Sequence, residues 1–101
     1  MKLVIPKQMT VGKRKIQIFQ HTHVTHKGEI LRGAFEHRGE IHMSRRGNHF
    51  AFTQAERHET LWHEVTHAIL HEMGRHKLNN DEEFVTEFAQ LLSKAIRTAK
   101  I

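Results

Sequence analysis

Residues 63–74 read HEVTHAILHEMG, and the first five fit the H-E-x-x-H pattern that holds a catalytic zinc on one face of a helix. Helical neighbours at i and i+4 lie on one face about 6 Å apart, so His63 and His67 can chelate a single ion. Glu64, one residue along, points near that ion without having to bind it. That placement suits a general base acting on water that the metal activates. Two imidazoles do not complete a zinc site, so the stretch requires a third ligand elsewhere. The five letters alone are weak evidence here: with 11 His and 10 Glu in 101 residues, chance produces them about one time in ten. Their surroundings have to carry the reading.

Those surroundings are helical. Thr53 suits an N-cap, and Glu56 three residues later completes a capping box. At 100° per residue from His63, the apolar Leu61, Trp62, Val65, Ala68, Ile69 and Met73 fall between about 140° and 280°. Glu56, Thr60, His63, Glu64, His67 and His71 fall between about 0° and 100°, a polar face clear of the core stripe. Gly74 suits the C-cap, with Arg75, His76 and Lys77 beside the negative end of the dipole. Asn79-Asn80-Asp81 then opens a second helix whose buried stripe is Val85, Phe88, Ala89, Leu92, Ala95 and Ile96.

Residues 1–50 differ. They hold every glycine but Gly74, the only proline, and short alternating runs. Strands are expected at Lys2–Ile5, around Ile16-Gln17-Ile18-Phe19, from Ile30 to Phe35, and at Glu40-Ile41-His42-Met43. Turn signals fall at Gly12, Lys27-Gly28 and Arg46-Gly47-Asn48. The expected fold is one α+β domain over residues 1–101: three or four mostly antiparallel strands followed by two packed helices.

Composition narrows the functions. No Cys means no disulfide framework and no thiolate zinc site, so a metal must sit on His, Glu or Asp. No apolar run approaches the roughly 18 residues of a membrane helix, and MKLVIPKQ is no signal peptide, so a cytoplasmic address without membrane partners is expected. The net charge of +5 and a pI near 10.0 would suit nucleic acid or an acidic partner. The basic residues are scattered, however, with no helix-turn-helix, zinc-finger spacing or aromatic stacking pair, and a solvated basic surface is favoured.

For the third ligand, His71 lies roughly 12 Å beyond His63 on a straight helix and cannot converge with both histidines. The second helix offers Asp81, Glu82, Glu83 and Glu87. Glu83 and Glu87 point largely to solvent, about 160° and 120° from the expected apolar stripe. Asp81 can serve the helix start, and Asn80 with Glu83 forms a capping-box-like pair. Helix phase favours Glu82.

HEVTHAILH followed by EEFVTEFAQLL resembles the ImmA/IrrE-type zinc metallopeptidases, zincins with H-E-x-x-H and then E-x-x-A-x-x-F-A-x-x-L-L, and among them short prophage-encoded members. The matching positions are Glu82, Val85, Phe88 and Ala89, with Val in the Ala position, and the likeness spans about residues 40–96. The chain departs from the pattern in ending Leu-Leu-Ser-Lys and in lacking an obvious helix ahead of the sheet. The resemblance implies His63, His67 and Glu82 as Zn2+ ligands and Glu64 as the catalytic acid/base.

His21 and His23 sit two apart on an expected strand, with His26 nearby, but no carboxylate adjoins them and an exposed strand or loop is favoured over a second metal site. Trp62 and Phe50, Phe52, Phe84 and Phe88 read as core. The leading expectation is a zinc-dependent metallopeptidase acting on a protein or peptide, in a bacterium or in the host of a phage. The edge strand near Glu40–Met43 would hold an extended substrate. A zinc-stabilised regulatory binding protein without turnover is the second reading, and a basic nucleic-acid binder the third.

Overall fold

Ile16 and Ile18, like Ile41 and Met43, alternate with more exposed neighbours, and in the computed structural model, which describes residues 4–100, these four form the inner face of a sheet. Its strands are β1 (Gln8–Val11), β2 (Arg14–His21), β5 (Gly33–Glu36) and β6 (Glu40–Ser44), in the order β1-β2-β6-β5. The β2–β6 pair is parallel and the other two are antiparallel. Between β2 and β5 the chain makes a separate hairpin of β3 (Val24–His26) and β4 (Glu29–Leu31). Lys27 and Gly28 both have positive φ, 51° and 82°, as a two-residue turn of type I′ requires. The buried Ser44 hydroxyl ties this hairpin to the end of β6, accepting from the Val24 N–H and donating to the Leu31 carbonyl.

Helix α1 (Gln54–Met73) starts at Thr53 with the reciprocal capping box: Thr53 Oγ1 accepts from the Glu56 N–H, and Glu56 Oε1 accepts from the Thr53 N–H. It ends where Gly74 turns left-handed at φ 71°. Leu61, Val65 and Ala68 lay its apolar face on the four sheet residues. A short helix, α2 (His76–Asn79), leads into α3 (Glu82–Thr98), whose N-cap is Asp81, accepting from the Phe84 N–H at 3.0 Å. The result is an α+β fold with a mostly antiparallel sheet on one side of α1 and α3 against it on another. No helix of the described residues is long and apolar enough to cross a membrane.

Several expectations are corrected. Of the first expected strand, Lys2 and Leu3 lie outside the described residues, and Val4 and Ile5 are not in a strand. The run from Ile30 to Phe35 is broken at Arg32 into β4 and β5, which belong to different sheets. Strands β1 and β3 were not expected from the pattern. Glu40–Met43 lies in β6, which is flanked on both sides; the edge strands of this sheet are β1 and β5. Asp81 rather than Asn80 caps α3, so Glu83 has no capping role there. On α3 the buried residues are Val85, Ala89 and Ser93; Leu92 and Ile96 are half-buried, while Phe88 and Ala95 face solvent. Phe50 and Phe84 are likewise exposed, and on α1 so are Ile69 and Met73.

Small residues explain the shifted stripe. Ala89 and Ser93 let α3 approach α1 closely, and Ser93 Oγ lies 2.7 Å from Nδ1 of His58 on α1, with both residues buried. Trp62 Nε1 donates to the other ring nitrogen of His58 at 3.2 Å. Relative to the hydropathy-based stripe, burial is rotated by roughly 60° toward the side of the helix that carries Glu82.

Candidate metal centre

One turn of α1 and the first residue of α3 meet at the site. Glu82 Oε2 lies 3.3 Å from His63 Nε2, and Glu82 Oε1 lies 2.9 Å from His67 Nε2. One ligand atom from each residue falls within 4.8 Å of the others. The same geometry leaves Glu83, Glu87 and Asp81 outside this group. With Asp81 as N-cap, Glu82 is the first residue of α3, and its carboxylate reaches both α1 histidines.

Asn79, in α2, has a role that the sequence reading missed. Its Oδ1 lies 2.6 Å from His67 Nδ1 and accepts the ring N–H. The Nε2 of a neutral His67 then carries its lone pair toward Glu82 Oε1. Two acceptors at 2.9 Å repel each other unless a proton or a metal ion lies between them. Burial, then His67, holds the His63 imidazole below its ordinary value despite the pull of Glu82, which favours the neutral form that a metal ligand needs. Two imidazoles and a carboxylate at this spacing fit zinc, and a three-ligand set leaves a fourth position open.

Glu64 is buried beside these three residues. Burial pushes its carboxyl up to about 7; His67 opposes the shift and Glu82 adds to it. It faces two clefts. One, about 290 Å³, runs past Arg32, Gly33, Glu59, His63 and Gln90. The other, about 460 Å³, runs past Phe35, His37, His67, Asn80 and Glu82. Edge strand β5 forms a wall of both through Gly33 and Phe35. It lies so close to α1 that a Cβ on Gly33 would stand 2.8 Å from Thr60 Cγ2 and 3.3 Å from Glu64 Cγ. Only glycine lets the edge strand approach the Glu64 turn this closely.

The remaining histidines are placed elsewhere. His71 is stacked on His37 with ring centroids 4.3 Å apart and meets Phe35 edge-on, outside the ligand group. β2 ends at His21, so His21 and His23 do not share a strand. His21 Nε2 instead lies 2.8 Å from His42 Nδ1 on the outer face of the sheet, and His23 approaches the Gly47 carbonyl. Glu36, Glu40 and His42 form a second close group there. The Arg38 guanidinium is already inside it, 2.8 Å from Glu36 and 2.9 Å from Glu40, supplying the positive charge that a metal would bring.

Compared with protein-family models, with curated proteins and with solved structures, the chain matches none.

Proposed function

We propose that this protein is a zinc-dependent metallopeptidase of the H-E-x-x-H type, similar to the ImmA/IrrE-like zincins. The observation that carries the reading is the convergence of His63, His67 and Glu82 beside a buried Glu64. When bound, zinc would supply Lewis acidity, lowering the pKa of a water and polarising a peptide carbonyl.

The chain's own residues account for the rest. Asn79 holds the His67 ring in the tautomer that turns Nε2 toward the site. Glu64 has a carboxyl near 7, matched to taking a proton from water and returning it to the leaving amine at neutral pH. β5 is the edge strand on the site side, and its free backbone edge can pair with an extended peptide. Clefts on either side of Glu64 give that peptide a path in both directions.

The test combines metal analysis with one isosteric change. Purified protein is expected to retain about one zinc per chain after dialysis. Glu64→Gln keeps the size of the side chain and the zinc ligands, so full occupancy is expected. Cleavage of a peptide library should fall at least about 100-fold, the lower range for a positioned acid/base. A zinc-loaded wild type that cleaves nothing in a broad library would favour a binding protein without turnover. Equal rates for Glu64→Gln and wild type would refute the role given to Glu64.

A further inference from the structure

The solvent face of α3 is more apolar than a monomer's surface helix needs to be. Phe84, Phe88 and Leu91 are 36%, 44% and 65% exposed, and Ala95 is exposed beside them. Phe84 and Phe88 stack on one another, with centroids 5.9 Å apart, without being covered. Their spacing of four, three and four residues is that of a two-helix seam. At 100° per residue this seam is centred roughly 115° from the buried stripe. It lies on the flank opposite Thr86 and Gln90, which line the cleft beside His63. A partner on the seam therefore leaves the metal centre open.

We propose that α3 pairs antiparallel with the α3 of a second copy of this chain, through Phe84, Phe88, Leu91 and Ala95. Charge selects both the partner and its direction. Glu87 and Lys94 lie along the same outer edge of the seam, two turns or roughly 10 Å apart, too far to pair with each other. Among the described residues neither side chain has an ion-pair partner within the chain. A two-fold axis near Gln90 sets Phe84 against the second copy's Ala95 and Phe88 against its Leu91, large across smaller. It also brings each Glu87 to a Lys94 of the other copy, twice by symmetry. Parallel pairing would instead set each Glu87 against the other copy's Leu92 edge and leave both charges without a partner.

The helix dipole does not account for these two charges. Glu82 and Glu83 in the first turn and Arg97 in the last turn suit the dipole. Glu87 and Lys94 lie beyond those turns, where its effect has faded. The other edge of the seam, Val85 and Leu92, is turned into the chain's own fold. One free edge, self-complementary under a two-fold, fits a copy of this chain better than an unrelated protein.

Sedimentation velocity of the zinc-loaded full chain over a dilution series, at low and high salt, tests the proposal. A reversible dimer is expected. Leu91→Glu should be monomeric throughout, with zinc content unchanged. Glu87→Lys and Lys94→Glu should each weaken association about tenfold, because either change turns two attractions into two repulsions. The double variant Glu87→Lys/Lys94→Glu should recover wild-type association. A wild type that stays monomeric at millimolar concentration overturns the proposal. So does a dimer indifferent to Leu91→Glu, or a double variant no better than the single ones.

Discussion

Asn79 Oδ1 lies 2.6 Å from Nδ1 of His67, so an amide twelve residues along the chain sets which nitrogen of a candidate zinc ligand faces the site. An acceptor behind a metal-binding imidazole fixes its tautomer and ring orientation, and its removal typically costs 10–100-fold in metal affinity. Asn79→Ala is therefore expected to weaken zinc about 10- to 100-fold. Asn79→Asp, which keeps the acceptor, should bind at least as tightly as wild type. Competition against a chelator of known affinity reads both.

Four substitutions test Glu82 as the proposed third ligand. Glu82 touches both histidines, whereas Glu83, Glu87 and His71 are outside the ligand group. Glu82→Ala should lose zinc in the same chelator titration while Glu83→Ala, Glu87→Ala and His71→Ala stay near wild type. A large loss in Glu83→Ala would mean that the phase of α3 is off by one residue.

Gly33 offers a packing test of the edge strand. A Cβ there would stand 2.8 Å from Thr60 Cγ2, closer than real contacts allow, so β5 or α1 must move. Gly33→Ala is expected to cost about 1–3 kcal/mol and to slow peptide cleavage. Thr60→Ser removes the clashing methyl while keeping the hydroxyl that bonds the Glu56 carbonyl. In the double variant most of the lost stability should return, and chemical denaturation over the four-protein cycle measures the coupling.

His58 makes stability depend on pH in a defined direction. Burial, with Arg97 adding to it, holds its pKa below the ordinary 6.5. The neutral ring donates to Ser93 and accepts from Trp62, so a second proton would face the Trp62 N–H. A depressed pKa means that the unfolded chain binds the proton more readily. The stabilisation is thus complete above about 6.5 and is lost as pH falls toward the folded pKa. Denaturation of chelator-treated protein between pH 7 and 5 should fall more steeply for wild type than for His58→Gln. Parallel curves would remove His58 from this role.

Much of the helical half was legible because its signals are local. Thr53 with Glu56 marks a helix start within one turn, Gly74 marks its end, and His63, Glu64 and His67 share a face through the helix period alone. Glu82 could be favoured by the same arithmetic, since only the phase of a single helix was needed. The alternation at 16, 18, 41 and 43 likewise identified the strands that carry the core.

Sequence alone thus determined where α1 begins and ends, which strands carry the core and which residue types could bind a metal, because each depends on neighbours a few residues apart. Tertiary structure decided the rest. Ile41 and Met43 alternate as they would in an edge strand or an interior one, and only pairing with β2 and β5 makes β6 interior and leaves β5 beside the site. Hydropathy assigns Phe88 to the core, yet α3 buries Val85, Ala89 and Ser93 instead, and the polar Ser93 is buried because His58, 35 residues away, bonds to it. Asn79 reads as part of a turn until α2 carries it to His67. In each case the deciding contact joins residues distant along the chain, and no local pattern encodes the separation of two helices or the neighbour of a strand.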